Sequence, residues 1–161
     1  MFNKHVFIMV GVPGSGKSTW VAKKVQQEVQ LTKMPSVVCS ADDYFMTTEN
    51  KYAFIREQLP QAHRECRSKF VHALSMPKDL HIFVDNTNLQ MSTLCWYVQT
   101  CVESSVPYTI VLMTPKDPTA VVFNRQLHGV PVEAWNKMCS MYPEARRMVR
   151  KNCWSCMEVV W

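Results

Sequence analysis

The sequence predicts an α/β fold in which helices cover both faces of a parallel β-sheet, and three observations carry this prediction. Strand-like and helix-like patterns alternate along all 161 residues, without a linker, a repeat or a low-complexity stretch. Each apolar run of strand length precedes a segment of helical spacing, which is typical of right-handed β-α-β crossovers. Three of the four glycines lie within six residues, directly after the first apolar run. We therefore expect one domain spanning residues 1–161.

The individual elements follow from periodicity. The apolar run 5–10 predicts a first strand that is covered on both faces, and 18–30 predicts a helix. The next strands are predicted at 36–40, 81–85 and 108–113, with a polar loop at 41–50 and an edge strand at 154–161. The other predicted helices are 52–75 with an interruption at Pro60, 91–104, 119–127, 131–141 and 144–151. Val29 falls on the apolar spacing of the first helix, and the inward residues predicted for 91–104 are Leu94, Cys95, Val98 and Val102.

The composition excludes several classes of protein. Hydrophobic residues make up 47% of the chain and charged residues 19%, which excludes wholesale disorder. The longest apolar runs are about five residues, far short of a membrane helix. Seven scattered cysteines favour a reducing compartment, and the lone pair Cys153 and Cys156 leaves a zinc site as a weak alternative. We expect an intracellular protein without a signal peptide or a membrane partner.

The glycine cluster forms a phosphate-binding loop. Residues 11–19 spell Gly-Val-Pro-Gly-Ser-Gly-Lys-Ser-Thr, a GxxxxGK[ST] motif placed between a strand and a helix. Backbone amides of such a loop converge on the phosphates of a nucleotide. The predicted cofactor-binding residues are Gly11, Pro13, Gly14, Ser15, Gly16, Lys17, Ser18, Thr19 and, from a later segment, Arg125. We expect ATP as the ligand, with Lys17 on the phosphate oxygens and Ser18 as a ligand of Mg²⁺.

Two acidic clusters follow the second and third predicted strands. Because parallel strands end at a common edge, Asp42 and Asp85 are expected to face the phosphate loop. Asp42 is the candidate general base, whereas Asp43 points elsewhere; either could instead cap a helix. Asp85 is in the position of a Walker-B acid that holds Mg²⁺, with a turn or cap as the alternative.

Basic residues supply the remaining candidates. Arg125 precedes Gly129 and Pro131, which together stop and restart a helix, as expected of a small lid that closes over the phosphates. A solvated arginine is the alternative, and His128 is expected to support the turn. The net charge of +5 suits a polyanionic partner. Two basic clusters either follow nucleic-acid phosphates or are solvated helix faces: Arg64, Arg67 and Lys69, and Arg146, Arg147, Arg150 and Lys151.

Four motifs together resemble a known family. The phosphate loop through Trp20, the Asp-Asp-Tyr at 42–44 and the Asp-Asn-Thr-Asn-Leu at 85–89 are similar to the 5′-hydroxyl polynucleotide kinase family, in particular the bacteriophage kinase domain. The segment Arg-x-x-His-Gly-Val-Pro at 125–131 resembles related small P-loop kinase domains even more closely. The resemblance spans about residues 4 to 150. It implies a P-loop NTPase kinase fold of about five strands in the order 2-3-1-4-5 with a small helical lid.

The resemblance also implies roles for the candidates. Asp42 would be the general base on a ribose 5′-OH, Lys17 and Ser18 would bind ATP and Mg²⁺, and Arg125 would act on the phosphates. Two positions depart from the phage-type pattern. Phe45 replaces an arginine that touches the substrate phosphate, and Asn86 stands where the acidic residue of the third motif falls.

The sequence thus predicts an ATP- and Mg²⁺-dependent kinase that phosphorylates a hydroxyl, with the 5′-OH of DNA or RNA as the expected acceptor. The catalytic residues would be Asp42, Lys17 and Arg125, and the metal ligands Ser18 and Asp85. Two alternatives stay open. One is a small-molecule kinase that acts on a nucleoside, a nucleotide or a sugar. The other is a nucleotide-binding module with little turnover.

Overall fold

A single five-stranded sheet organises the computed structural model, which describes residues 2–49, 51–117, 119–126 and 128–160. Its strand order is β2-β3-β1-β4-β5, and every neighbouring pair is parallel. The strands are β1 (Lys4–Val10), β2 (Ser36–Cys39), β3 (Leu80–Val84), β4 (Tyr108–Thr114) and β5 (Cys156–Val160). The predicted order is therefore confirmed.

Helices cover both faces of the sheet, as predicted. They are α1 (Lys17–Thr32), α2 (Leu59–Ser75), α3 (Met91–Glu103), α4 (Thr119–Asn124) and α5 (Val132–Lys151). Side chains alternate between the faces of a strand. Met9 of β1 accordingly packs with Val21 of α1, whereas Ile8 belongs to the larger core that also contains Phe70 and Trp135.

The structure corrects the predicted helix at 52–75. Residues 52–55 are not helical, and Tyr52 instead forms an antiparallel bridge with Met46. A short 3₁₀ turn at Arg56–Gln58 leads into α2, and Pro60 lies in the first turn of that helix. Proline is tolerated there because the amide it lacks would have no partner within the helix. Pro60 therefore begins the helix rather than interrupting it. Part of the predicted loop also differs, since Asp42–Phe45 form another 3₁₀ turn.

The last two predicted helices form a single helix in the structure. Helix α5 runs through Pro143 without a break, although proline inside a helix removes a hydrogen bond. Trp135, Ala145 and Val149 lie on both sides of Pro143 and are all buried. Their burial along one stripe holds the helix together across the proline. Tertiary packing thus outweighs the local preference for a break.

Smaller differences concern helix faces and element ends. In α3 the buried residues include Tyr97 and Cys101, whereas Cys95 and Val102 are exposed. Val29 at the end of α1 is exposed as well. The edge strand begins at Cys156 rather than Trp154, and α4 ends at Asn124. Asn50, Leu127 and Trp161, which ended predicted segments, lie outside the described residues.

In the described ranges, none of the helices combines the length and the apolar character that crossing a bilayer would require.

The edge strand β5 is held to α5 by one carboxylate. Glu158 accepts hydrogen bonds from the Thr114 hydroxyl at 2.7 Å and from Arg146 at 2.9 Å, and it also pairs with Arg150. These donors hold the pKa of Glu158 below its ordinary value of 4.5, with Arg146 as the largest cause. The network therefore links β4, α5 and β5 through a single ionised group.

We expect Glu158→Gln to lower the free energy of unfolding by about 1 kcal/mol at neutral pH. Because the pKa of Glu158 is depressed, its contribution is complete above pH 4.5 and is lost as the pH falls further. Thermal unfolding of both proteins should thus converge at low pH. The matched control is Glu144→Gln, which removes an exposed pair with Arg147 and should change stability less. Equal effects of the two substitutions at neutral pH would contradict this role of Glu158.

Candidate functional site

The phosphate loop connects β1 to α1 and is shaped by a close approach at Gly14. This residue has φ 83°, and a Cβ atom there would lie 2.1 Å from the carbonyl oxygen of Val122 in α4. No side chain fits that space, and the left-handed conformation also favours glycine. The indole of Trp135 in α5 donates to the carbonyl of Pro13 at 3.0 Å. The loop is therefore in contact with both helices that follow β4.

The interior of the loop is equally tight. A Cβ atom at Gly11 would lie 2.7 Å from the Ser15 hydroxyl, and the Ser15 side chain is fully buried. The amide of Ser15 donates to the carbonyl of Val12 at 3.2 Å. Helix α1 then starts with Gly16 as its N-cap residue, so its first free amides adjoin the loop. This arrangement is the anion-binding geometry that the sequence predicted.

Lys17 lies at the centre of the site. Its ammonium is buried and donates to the carbonyl of Val12 at 2.8 Å. Burial lowers the pKa of Lys17 to about 8, against the charges of Asp85 and Asp42, which act in the opposite direction. Asp85 and Asp42 therefore both lie within electrostatic range of the Lys17 ammonium. The structure thus brings three predicted residues together.

Ser18 and Asp85 form a pair that suits a divalent cation. The Ser18 hydroxyl is close enough to the Asp85 carboxylate to lower its pKa, and the Oδ1 atom of that carboxylate is buried and has no hydrogen-bond partner among the described residues. Burial raises the pKa of Asp85, while the Ser18 hydrogen bond and the Lys17 charge lower it. A hydroxyl and a carboxylate are ligands that Mg²⁺ accepts. Within the described ranges no cluster of three or more His, Cys, Asp or Glu side chains could hold a metal by itself.

Asp42 begins the 3₁₀ turn that follows β2. The hydroxyl of Tyr52 donates to Asp42 Oδ1 at 2.9 Å, and the Asp42 amide donates to the Ser40 hydroxyl at 3.2 Å. Burial and the hydrogen bond to Asp42 both raise the pKa of Tyr52, so its phenol stays protonated and remains a donor. Asp42 is therefore a positioned carboxylate at the edge of the crevice.

Tyr52 and His128 are site residues that sequence reasoning missed. His128 Nε2 lies 3.5 Å from Asp42 Oδ2, and its ring packs on the ring of Tyr52 with centroids 4.2 Å apart. Tyr52 falls in a segment predicted to be helical, and His128 was expected only to support a turn. The alternation of Tyr52 and Phe54 was the one signal of an extended segment.

An aromatic surface continues from Tyr52. The rings of Tyr52 and Phe54 are nearly parallel, with an angle of 10° and centroids 6.4 Å apart. Both pack against Phe45, which is buried, whereas 47% of Phe54 is exposed. A partly exposed ring beside Asp42 offers a face for a planar group. Phe45 itself is part of the support beneath this surface.

Asn86 and Asp43 have structural partners. The Asn86 side chain accepts from the Ala41 amide at 2.9 Å and donates to the Cys66 sulfur at 3.3 Å, which ties the ends of β2 and β3 together. Asp43 pairs with Lys69 of α2 at 2.9 Å. Asp43 therefore has a different partner from its neighbour Asp42, as the sequence suggested.

Arg125 follows α4 but its side chain does not contact the loop. It pairs with Asp117 at 2.6 Å, and both side chains are substantially exposed. Its own backbone amide donates to the carbonyl of Val122, the group that approaches Gly14. The segment is thus in place beside the loop, while the guanidinium has another partner.

Comparisons with known proteins agree with this fold. A family described as AAA domain matches residues 6–142. The structure of Chaetomium thermophilum Kti12 in complex with ADP-AlF3 is similar, with a TM-score of 0.65, 15% identity and coverage of 97% of this chain and 89% of that one. A chain of the Pnkp1/Rnl/Hen1 RNA repair complex gives a TM-score of 0.67 and 17% identity, over 92% of this chain and 47% of that one. The Mycobacterium tuberculosis APS kinase CysC, in complex with AMPPNP and APS, gives 0.56 and 15%, over 78% and 69%. These likenesses show a P-loop kinase-like fold.

The low pKa of Lys17 predicts proton uptake when a triphosphate binds. The pKa of Lys17 is about 8 in the free protein, so at a pH between that value and the ordinary 10.5 its amine is largely neutral. The phosphates of a bound triphosphate would favour the charged form. We expect uptake of up to about one proton above pH 8, measured by calorimetry in two buffers of different ionisation enthalpy. The control is Lys17→Arg, whose guanidinium stays charged and should show none. Buffer-independent heats for the wild type would contradict the prediction.

Proposed function

This chain belongs to the AAA domain family, and we propose that it is an ATP- and Mg²⁺-dependent kinase whose acceptor is the 5′-OH of DNA or RNA. One observation carries the proposal. The Asp42 carboxylate, positioned by the Tyr52 hydroxyl, is close enough to the buried Lys17 ammonium to affect its pKa. A proton acceptor and a phosphate-binding cation thus share one crevice. This combination is what phosphoryl transfer to a hydroxyl requires.

The proposed reaction is a direct displacement. The Asp42 carboxylate accepts the proton of the attacking hydroxyl, whose oxygen bonds to the γ-phosphorus. The bond from that phosphorus to the β,γ-bridging oxygen breaks, and ADP leaves. Lys17 stabilises the equatorial charge, and Arg125 joins it once its guanidinium leaves Asp117. The loop from Gly11 to Thr19 holds the phosphates in line with the acceptor.

Mg²⁺ fits the pair formed by Ser18 and Asp85, because a buried carboxylate oxygen there has no hydrogen-bond partner among the described residues. When bound, the ion would neutralise charge on the β- and γ-phosphates. The protein contributes the hydroxyl and the carboxylate that orient it. Asn86, which the phage-type pattern would replace with an acid, is already engaged with Ala41 and Cys66.

A base-bearing acceptor is supported by the aromatic surface beside Asp42. The hydrogen bond from Tyr52 to Asp42 connects that surface to the proposed general base, and Phe54 is partly exposed. Stacking of a nucleobase on an aromatic side chain contributes about 1–3 kcal/mol. A sugar without a base would leave this surface unused.

One observation favours a second candidate, a small-molecule kinase. Phe45 occupies the position of the arginine that contacts the substrate phosphate in the phage-type motif, and its ring is buried. The site therefore lacks that particular phosphate contact. A nucleoside or a small nucleotide would not need it.

We expect Asp42→Asn to reduce the transfer rate by about 10²–10⁴-fold with little change in ATP affinity, because only the proton acceptor is lost. Transfer is measured by end-labelling a 5′-OH oligonucleotide with γ-labelled ATP, and affinity by calorimetry. The matched control is Asp43→Asn, because Asp43 pairs with Lys69 and has no part in the proposed reaction. End-labelling that survives in Asp42→Asn would remove Asp42 from the mechanism.

A panel of acceptors separates the candidate functions. We expect labelled phosphate on a 5′-OH oligonucleotide and none on the same oligonucleotide already phosphorylated at its 5′ end. Transfer to a nucleoside, a nucleotide or a sugar but not to the oligonucleotide would support the small-molecule kinase. Tight ATP binding with no phosphorylated acceptor, and slow hydrolysis that is indifferent to Asp42→Asn, would instead indicate a nucleotide-binding module.

A further inference from the structure

The three cations of the first basic cluster, all on α2, have different partners. Lys69 pairs with Asp43 at 2.9 Å, and Arg64 donates to the side chain of Gln61. The guanidinium of Arg67 instead lies over the ring of Trp96 in α3, 4.8 Å from its centroid. Its Nε atom is buried and has no hydrogen-bond partner among the described residues. Arg67 is therefore the cation of this cluster whose guanidinium has a hydrogen-bond donor without a partner among the described residues.

Arg67 and Trp96 border an open groove between α2 and α3. The groove has a volume of about 480 Å³ and is lined by Arg67, Ser68, Val71, His72, Ser75 and Trp96. None of these six residues, all within the described ranges, is acidic. A guanidinium, two hydroxyls and an imidazole can contact phosphate or sugar oxygens. The indole and the exposed Val71 offer apolar surface to a base.

Helix α2 leads from the groove towards the proposed reaction centre. His63, Arg67, Val71 and Ser75 are spaced four residues apart and thus form one ridge of α2. The ridge rises roughly 6 Å from each of these residues to the next, so it extends about 18 Å in all. Burial lowers the pKa of His63, the charge of Arg67 lowers it further, and the charge of Asp42 raises it. His63 is therefore within electrostatic range of both Asp42 and Arg67, and it precedes Arg67 by about one helical turn.

We propose that the groove of Arg67 and Trp96 binds the single-stranded segment of nucleic acid that follows the 5′ end held at Asp42. This inference rests on the proposed function, since it identifies the acceptor as a polynucleotide rather than a nucleoside. Two features favour this occupant over an acidic peptide. The groove pairs a cation with an aromatic face, on which a base can stack, and the helix that lines it leads towards the proposed acceptor site. Phe45 has replaced one phosphate contact, and Arg67 supplies another further along the strand.

The test compares a short and a long ligand in the absence of ATP. We expect Arg67→Gln to weaken the binding of a 5′-OH 12-mer about tenfold and to leave the binding of a dinucleotide unchanged, measured by fluorescence anisotropy. The slope of log K against log salt for the 12-mer should fall by about 0.7, the loss of one single-strand phosphate contact. The matched control is Arg147→Gln on α5, which removes the same charge from a residue paired with Glu144. It should change neither affinity.

A second pair of variants separates binding from packing, because Arg67 on Trp96 also contributes to the contact between α2 and α3. We expect Trp96→Phe, which keeps an aromatic ring, to bind the 12-mer more tightly than Trp96→Leu. Arg67→Lys, which keeps the charge, should bind it more tightly than Arg67→Gln. Thermal unfolding of each variant confirms that the comparison is made on folded protein.

Several outcomes would overturn the inference. One is that Arg67→Gln binds the 12-mer as tightly as the wild type does. Another is that the substitution weakens the binding of the dinucleotide as much as that of the 12-mer. A third is that an acidic peptide of the same length competes for the groove as well as the 12-mer does. Failure of the proposed function is a separate result. If the wild type binds the 12-mer through Arg67 but phosphorylates no acceptor, the groove proposal stands and the proposed kinase function is wrong. If Arg67→Gln phosphorylates the 12-mer at subsaturating concentration as fast as the wild type, the kinase function stands and the groove proposal is wrong.

Discussion

The burial of one ammonium group, that of Lys17, is the constraint on which the site depends. Desolvating a cation is unfavourable unless hydrogen bonds and opposite charges compensate. Here the carbonyl of Val12 accepts a hydrogen bond from the ammonium, and Asp85 and Asp42 supply the opposite charge. Those carboxylates can approach only because β2 and β3 end at the same edge of the sheet as β1. The compensation of the buried charge at the site therefore depends on the strand order.

The two halves of the site are held by different means. The phosphate loop is fixed by backbone, through glycines that allow close contact with α4 and a short turn into α1. Asp42 is fixed by side chains, since Tyr52 and His128 contact its two carboxylate oxygens from segments outside the regular elements. The position of the phosphate loop therefore depends on backbone packing, and that of Asp42 on contacts between side chains.

Sequence reasoning predicted the parts of the molecule that local patterns determine. The strands are continuous apolar runs and the loop is a dense glycine motif, so the parallel sheet and the meeting of Lys17, Asp42 and Asp85 could be predicted. The strand order came from the family resemblance instead. The contacts of Tyr52 and His128 with Asp42 could not be predicted, because the first closes an irregular loop that was predicted to be partly helical and the second joins segments far apart in the chain. The unbroken α5 was missed because packing around Trp135 and Val149 outweighs Pro143. The faces of α3 were misassigned because apolar residues occur all around that helix.

The hydrogen bond from the Trp135 indole to the carbonyl of Pro13 has a practical consequence. The indole is almost fully buried, and its one polar atom senses the backbone of the phosphate loop. Any change of that backbone would alter the polarity around this chromophore and hence its emission. Once the other four of the five tryptophans are replaced, Trp135 would be an intrinsic optical reporter, and occupancy of the loop could be followed in real time without attaching a dye.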